Sequence, residues 1–309
     1  MNRECWRVGA QTIELTHLDK VLFPGAQPFT KRDLAEYYRR IAPTMLPYLA
    51  ARPLTMQRFP DGIDQEGFYQ KEIPAHFPAW IGRVSLPKAG GRVTQVVCED
   101  AATLVYLAEQ ACITPHVGLS RVDQPQNPDR MIFDLDPPHE EFEPVRAAAM
   151  LVRVLLQDLG LASHLMTTGS RGLHVVVPLD RATEFDTVRA FARAAAAVLA
   201  RRHSPALSID ARIVKRRGRL YLDTTRNAYG QTGVAPYALR ARPGAPVATP
   251  LAWEELDEPG LDARRYRLDN LFARLERDGD PWRHIAQHAQ SLAAPLARLA
   301  DLTRDEGGP

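Results

Sequence analysis

The chain has 309 residues, 45% hydrophobic and 25% charged, with a formal net charge of +2, the balance of an ordinary globular protein with ample core. No apolar run approaches the roughly 18 residues of a membrane-spanning helix, and "MNRECWRVGA" lacks the apolar stretch of a signal peptide. Cys5, Cys98 and Cys112 form no CxxC pair, which excludes a disulfide framework or a cysteine zinc site, so a cytoplasmic protein with no membrane partner is expected.

In chain order, "TKRDLAEYYRRIAPTML" (30–46) opens with a capping box, Thr30 with Asp33, and predicts a helix. A second helix is expected over "EDAATLVYLAEQAC" (99–112). "RMIFDLD" reads as a strand ending in Asp134 and Asp136. "EPVRAAAMLVRVLLQDLG" has Pro144 in its first turn and Gly160 as its stop, a third helix. "HLMTTGSRGLHVVVPL" (164–179) reads as strand, glycine turn, strand, and "EFDTVRAFARAAAAVLARR" as a fourth helix. "RIVKRRGR" (212–219) holds five bases in eight residues and is a candidate polyanion contact. "GRLYLDTT" is a further strand, and Pro-rich "APYALRARPGAPVATPL" leads to a helical tail.

Residues 130–225 thus follow the order β-α-β-β-α-β of a ferredoxin-like module, which sets its first and last strands side by side. The expected fold is α/β (α+β). One domain to about residue 300 divides into an N-terminal α/β layer (10–125), an RRM-like module (126–250) and a C-terminal helical segment (251–300).

This order places Asp223 beside Asp134 and Asp136. Three carboxylates on one sheet face make a poor core and a good site for divalent cations, which prefer oxygen ligands and leave positions open for phosphates. Two such ions are the usual device for in-line phosphoryl transfer. In "TTGSRGLH" (167–174), two glycines flank Ser170 and Arg171. Successive backbone N–H groups can there converge on an anion, with Thr168, Ser170, Arg171 and His174 adding donors. Only five of the 39 basic residues are lysines, so the chain keeps lysine where a compact point charge matters.

"IFDLDP", "TTGSRGLHV" and "LYLDTTRNAYGQTGVAPYALRARPGAPVATPLAWEEL" resemble the polymerase domain of bacterial DNA ligase D, the end-joining branch of the archaeo-eukaryotic primases. "LTHLDKVLFPGAQPFTKRDLAEYYRRIAPTMLPYLAARPLTMQRFPDGIDQEGFYQK" is similar to that family's N-terminal stretch. The resemblance covers about residues 10–290.

It implies a primase-type core and a metal-dependent nucleotidyltransferase extending a 3′-OH, ribonucleotides preferred, at gaps or broken ends. It makes Asp134, Asp136 and Asp223 the ligands of two Mn²⁺ or Mg²⁺ ions. Thr168, Ser170, Arg171, His174, His116 and Arg240 would bind the nucleoside triphosphate. Lys20 and Lys31 match positions that read the 5′-phosphate of the downstream strand, and Phe68 and Tyr69 an aromatic pair that stacks on template bases. Lys71 and Lys215 fall in matched motifs, and with Arg216 complete the expected DNA contacts. The implied partners are DNA ends, gaps or primer-template, with Ku and a ligase acting on the same break.

The chain departs from the family pattern at Thr168, usually Ser, and at Arg171, usually Lys, which exchanges a point donor for a planar fork. The pair Phe68–Tyr69 is commonly Phe-Phe, and "CITPHVGL" is a loose match around His116. Rival readings are a general primase, a DxD phosphatase of the haloacid-dehalogenase type, a DxD glycosyltransferase and an RNA-binding module. The phosphatase needs a further acidic pair, absent here. The glycosyltransferase leaves "GSRGLH" without a role. The RNA-binding module needs an aromatic RNP1 run, also absent.

Overall fold

Two short antiparallel hairpins open the chain, β1 (Arg3–Val8) with β2 (Gln11–Thr16) and β3 (Val21–Phe23) with β4 (Phe29–Thr30). This computed structural model describes residues 3–305. The capping box starts α1 (Lys31–Leu49): Thr30 N donates to Asp33 Oδ2 at 2.6 Å, and Asp33 N donates back to Thr30 Oγ1 at 3.4 Å. The helix runs past Pro43 and Pro47 because its stripe of Leu34, Tyr38, Ile41, Met45 and Leu49 is buried. There follow β5 (Pro53–Arg58), β6 (Phe68–Gln70), β7 (Gly82–Lys88) and β8 (Gly91–Val97). The next helix, α2 (Ala101–Glu109), is shorter than the expected 99–112. Asp100 caps it by accepting from Thr103 N at 2.7 Å, and Cys112 already belongs to the fully buried strand β9 (Cys112–Gly118).

The next stretch supplies β10 (Arg130–Asp136), α3 (Glu143–Asp158), β11 (His164–Thr167), β12 (Leu173–Pro178) and α4 (Phe185–Arg202). Then come β13 (Leu207–Ser208), the single turn α5 (Ile213–Arg216) and β14 (Leu220–Asp223). After them lie β15 (Thr232–Val234), β16 (Pro250–Leu251), α6 (Leu271–Asp278) and α7 (Ala293–Asp305).

These elements form two units. One holds the chain up to Asp123 with Thr232–Thr249 and Tyr266–Gly279, and the other holds Gln124–Gln231, Pro250–Arg265 and everything from Asp280. The first is built on a sheet of order β15-β9-β5-β8-β7, with β6 on β5, and the second on β13-β14-β10-β12-β11-β16. In the second, β10 pairs antiparallel with both β12 and β14, so the first and last strands of the 130–225 segment are neighbours as expected. Its helices α3 and α4 pack on β10 and cover Phe133 and Leu135, which are fully buried.

The first unit boundary falls between Asp123 and Gln124. Residues 232–249 return to the first unit because β15 pairs with β9, Val234 opposite His116, and the 251–300 stretch is shared between the units. All three cysteines are free, and burial pushes the Cys112 thiol up to about 12. Among the described residues no helix is long and apolar enough to cross a membrane.

Candidate active site

Asp134 lies directly opposite Asp223 on one neighbouring strand and opposite His174 on the other, and Asp136 lies opposite Tyr221. Directly paired residues share a face, as do residues two apart. Asp134, Asp136, Asp223, His174 and Tyr221 therefore stand on the side of the sheet away from Phe133 and Leu135.

Arginines compensate the repulsion among the carboxylates. Arg171 Nη2 and Arg216 Nη1 each donate to a separate oxygen of Asp136 at 3.0 Å, and Arg226 Nε stands 3.7 Å from Asp134 Oδ2. Arg216 is itself fixed by the carbonyls of Asp210 and Ala211 and by the Tyr221 ring, 4.0 Å below its guanidinium. Asp223 accepts from the N–H of Thr225 at 2.7 Å and from its hydroxyl at 2.6 Å, an Asx-turn. Burial, then the neighbouring Asp223, raise the Tyr221 phenol above its ordinary value, so at neutral pH it is a protonated donor toward that carboxylate.

Thr225, Arg226 and Asn227 escaped the sequence reading. Asn227, wholly buried, clamps β10 by accepting from Ile132 N at 2.8 Å and donating to Ile132 O at 2.7 Å. The motif "DTTR" carries the signal for the Asx-turn, but nothing local in the sequence aims Arg226 at Asp134.

His174 completes the face. Its side chain is 4% exposed, Nε2 is 3.5 Å from Asp134 Oδ1, and Nδ1 is buried without a partner among the described residues. The loop before it closes on the Thr168 hydroxyl, which accepts from the N–H groups of Ser170 (3.3 Å) and Gly172 (3.2 Å) and donates to Gly172 O. Those N–H groups are thus already gathered toward one point, where a side-chain oxygen sits. Gly169 has φ +63°, and a Cβ on Gly172 would stand 1.9 Å from Leu135 O, so the two glycines set the loop's course and its contact with β10. Arg264, also unforeseen, donates to Ser170 O at 2.6 Å and pairs with Glu140. Lys215 is exposed on α5.

The other unit carries the remaining candidates. Lys31 N donates to Lys20 O at 2.8 Å, which brings the two lysines together. Their ammonium groups differ. Lys20 Nζ makes an exposed pair with Asp61 at 2.6 Å, whereas Lys31 is 7% exposed and held 2.8 Å from Glu109 and 2.9 Å from Thr16 O. Phe68 and Tyr69 are 45% and 60% exposed and point to opposite faces of β6, Phe68 toward Arg58 and Tyr69 edge-on to the His116 ring at 5.4 Å. Lys71 is exposed, His116 buried and Arg240 half-buried.

A family model described as LigD, primase-polymerase domain, matches residues 30–282. The chain is 37% identical over 281 residues to the multifunctional non-homologous end joining DNA repair protein LigD of Mycobacterium tuberculosis, covering 87% of this chain and 36% of that protein. It is 32% identical over 295 residues to the LigD of Pseudomonas aeruginosa, covering 94% of this chain and 35% of that one. The chain therefore spans about a third of the length of these curated relatives. Among solved structures, the polymerase domain from Mycobacterium tuberculosis ligase D in complex with DNA superimposes with a TM-score of 0.84 at 33% identity, covering 90% of this chain and 99% of that one.

Proposed function

The chain belongs to the LigD primase-polymerase family, and from that premise we propose that it is a metal-dependent nucleotidyltransferase. It adds nucleotides, ribonucleotides preferred, to a 3′-OH at gaps or broken DNA ends in non-homologous end joining. The β-α-β-β-α-β segment is its primase-type, RRM-like catalytic module. The observation that carries the reading is the row Asp223–Asp134–His174 across three adjacent strands, with Asp136 beside it and the 168–172 loop at its end.

The donor set suits Mn²⁺ or Mg²⁺: three hard carboxylates with two in direct register. Among the described residues no three His, Cys, Asp or Glu side chains close into a metal-binding group, and both oxygens of Asp136 are held by guanidiniums. Asp134, Asp136 and Asp223 are the residues that would hold the ions, with Arg171 and Arg216 now occupying the oxygens of Asp136. Such ions would supply charge neutralisation for the triphosphate and a lowered pKa for the 3′-OH. Arg171 carries a planar donor fork suited to phosphate. His174, with its unpartnered Nδ1, donates where charge develops on the pyrophosphate. Ser170, Thr168, His116 and Arg240 complete the nucleotide site, and Lys71, Lys215 and Arg216 contribute to DNA binding. Ku and a ligase act on the same break.

The test is incubation of a primer-template with Mn²⁺ and each nucleotide, with ATP and dATP in competition. Templated extension with ATP ahead of dATP is expected, because a site built around a 2′-OH leaves a polar group unpaired in its absence. Phosphate release alone, or binding without extension, would overturn the polymerase reading. A preference for dATP would overturn the sugar assignment.

Lys20 is the residue we assign to the 5′-phosphate, because its ammonium is accessible. Phe68 or Tyr69 stacks on the template base beside it, worth about 1–3 kcal/mol per base. The protein is expected to bind a gapped duplex more tightly with a 5′-phosphate than with a 5′-hydroxyl. A charge-assisted donor contributes about 1.5 kcal/mol at the weak end of its range, so Lys20→Ala should shrink the difference by roughly tenfold. Equal affinity of the unmodified protein for both ends would leave a general primase.

A further inference from the structure

Edge strand β13, β14 and helix α4 border a cavity of about 580 Å³ that shares Tyr221 and Thr225 with the site just described. Arg189 and Arg193 line it from α4, one helical turn apart and both exposed. Neither has an ionic or hydrogen-bonding partner among the described residues. Like charges four apart on a helix repel, so neither arginine is stabilised by the other.

Arg219 adds a third cation. Its donors are directed at the carbonyls of Arg216, Lys215 and Ser204, which leaves its charge without a carboxylate. Against these three stands one acid in the lining, Asp210, whose side chain accepts from Arg212 N at 3.2 Å. The hydroxyl residues Ser208 and Thr224 complete the polar wall, while the Thr225 hydroxyl is committed to Asp223. A concave site of this size with net positive charge and clustered hydroxyls is a receptor for phosphate groups.

We propose that this cavity binds consecutive backbone phosphates of the nucleic-acid strand being extended. The inference rests on the polymerase reading of the chain. Two observations favour a strand over a free nucleotide. Cβ atoms four apart on a helix are about 5–6 Å apart, a span of one to two nucleotides at a rise of roughly 3.4 Å per nucleotide. The cavity also continues into the strongly basic 212–219 run through Arg219, and into the wall behind Asp223 through Thr225, which holds that carboxylate.

Salt dependence tests this. Removing one cation that neutralises a phosphate reduces the slope of log K against log [salt] by about 0.9 for duplex and about 0.7 for single strands. Anisotropy titrations of a labelled primer-template over a salt series should therefore show the Arg189→Gln, Arg193→Gln variant with a slope smaller by about 1.8 on duplex, or about 1.4 where the bound strand is single. The KM for ATP at saturating DNA should be unchanged. The double lysine variant, Arg189→Lys with Arg193→Lys, should keep the slope. Arg7→Gln with Arg283→Gln removes the same net charge outside both candidate sites and should leave the slope intact. An unchanged slope in the glutamine variant overturns the proposal, as does an equal fall in the Arg7, Arg283 control. A raised KM for ATP, or weakened pyrophosphate inhibition, with an unchanged slope makes this a free-nucleotide site instead. If the unmodified protein itself shows no salt-dependent DNA binding, the polymerase reading fails first.

Discussion

An Asp136→Ala variant is expected to lose templated extension by about 10³-fold or more, since divalent-ion stabilisation of charge is worth several kcal/mol and each tenfold is about 1.4 kcal/mol. Its fold should survive. The Asp136 side chain is 35% exposed, so its removal creates no buried cavity. Arg216 keeps its two backbone carbonyls and the Tyr221 ring, and the half-exposed Arg171 turns to water. A ligand that binds only the folded state stabilises it, so Mn²⁺ should raise the melting temperature of the unmodified protein and raise it less in the variant. Normal extension by Asp136→Ala would remove this carboxylate from the chemistry. A large fall in melting temperature without metal would instead make the Arg171–Asp136–Arg216 cluster a structural device.

The second large effect falls on stability. Lys31→Ala should destabilise the fold by about 3–5 kcal/mol, the usual cost of removing one partner of a buried ion pair. At roughly 2–4 °C per kcal/mol for a chain somewhat smaller than this one, that is a fall on the order of 10 °C. The lysine and Glu109 side chains are 9% and 11% exposed. Glu109 also accepts from Thr16 N at 3.0 Å and Thr16 Oγ1 at 2.7 Å, so the truncation strands a carboxylate already committed to the β2 end. Pairing Lys31→Met with Glu109→Gln should recover much of the loss. A Lys31→Ala protein that melts normally but loses preference for a 5′-phosphate would return Lys31 to the DNA-end site.

Lys31 also marks where the sequence stopped being legible. The capping box at Thr30 and Asp33 is a local pattern, and it starts α1 where expected. The inward turn of the ammonium depends on Glu109, at the far end of another helix, which no local pattern encodes. The same contrast runs through the site. Alternation in "MIFDLD" and "LYLD" put Asp134, Asp136 and Asp223 on one face, and the β-α-β-β-α-β order made their strands neighbours. The arginines that balance them come from a glycine turn, a short exposed helix and the turn after β14, elements with no shared periodicity. The pairing of residues 232–234 was illegible for a related reason. Only three residues of β15 pair with β9, too few to announce a strand within a Pro-rich stretch.

The return of that stretch has a further consequence. The chain passes between its two units five times, after residues 123, 231, 249, 265 and 279. Each unit is therefore assembled from three separate segments, and no single cut yields either of them whole. Cleavage after Asp123 would leave the first piece without the β15 edge of its sheet, and the second without β16 only if a further cut followed. In genetic terms the half that carries Asp134, Asp136 and Asp223 is not a cassette: it cannot be duplicated, swapped or permuted by one recombination event without taking the other half with it. Inheritance has to treat the pair as one character.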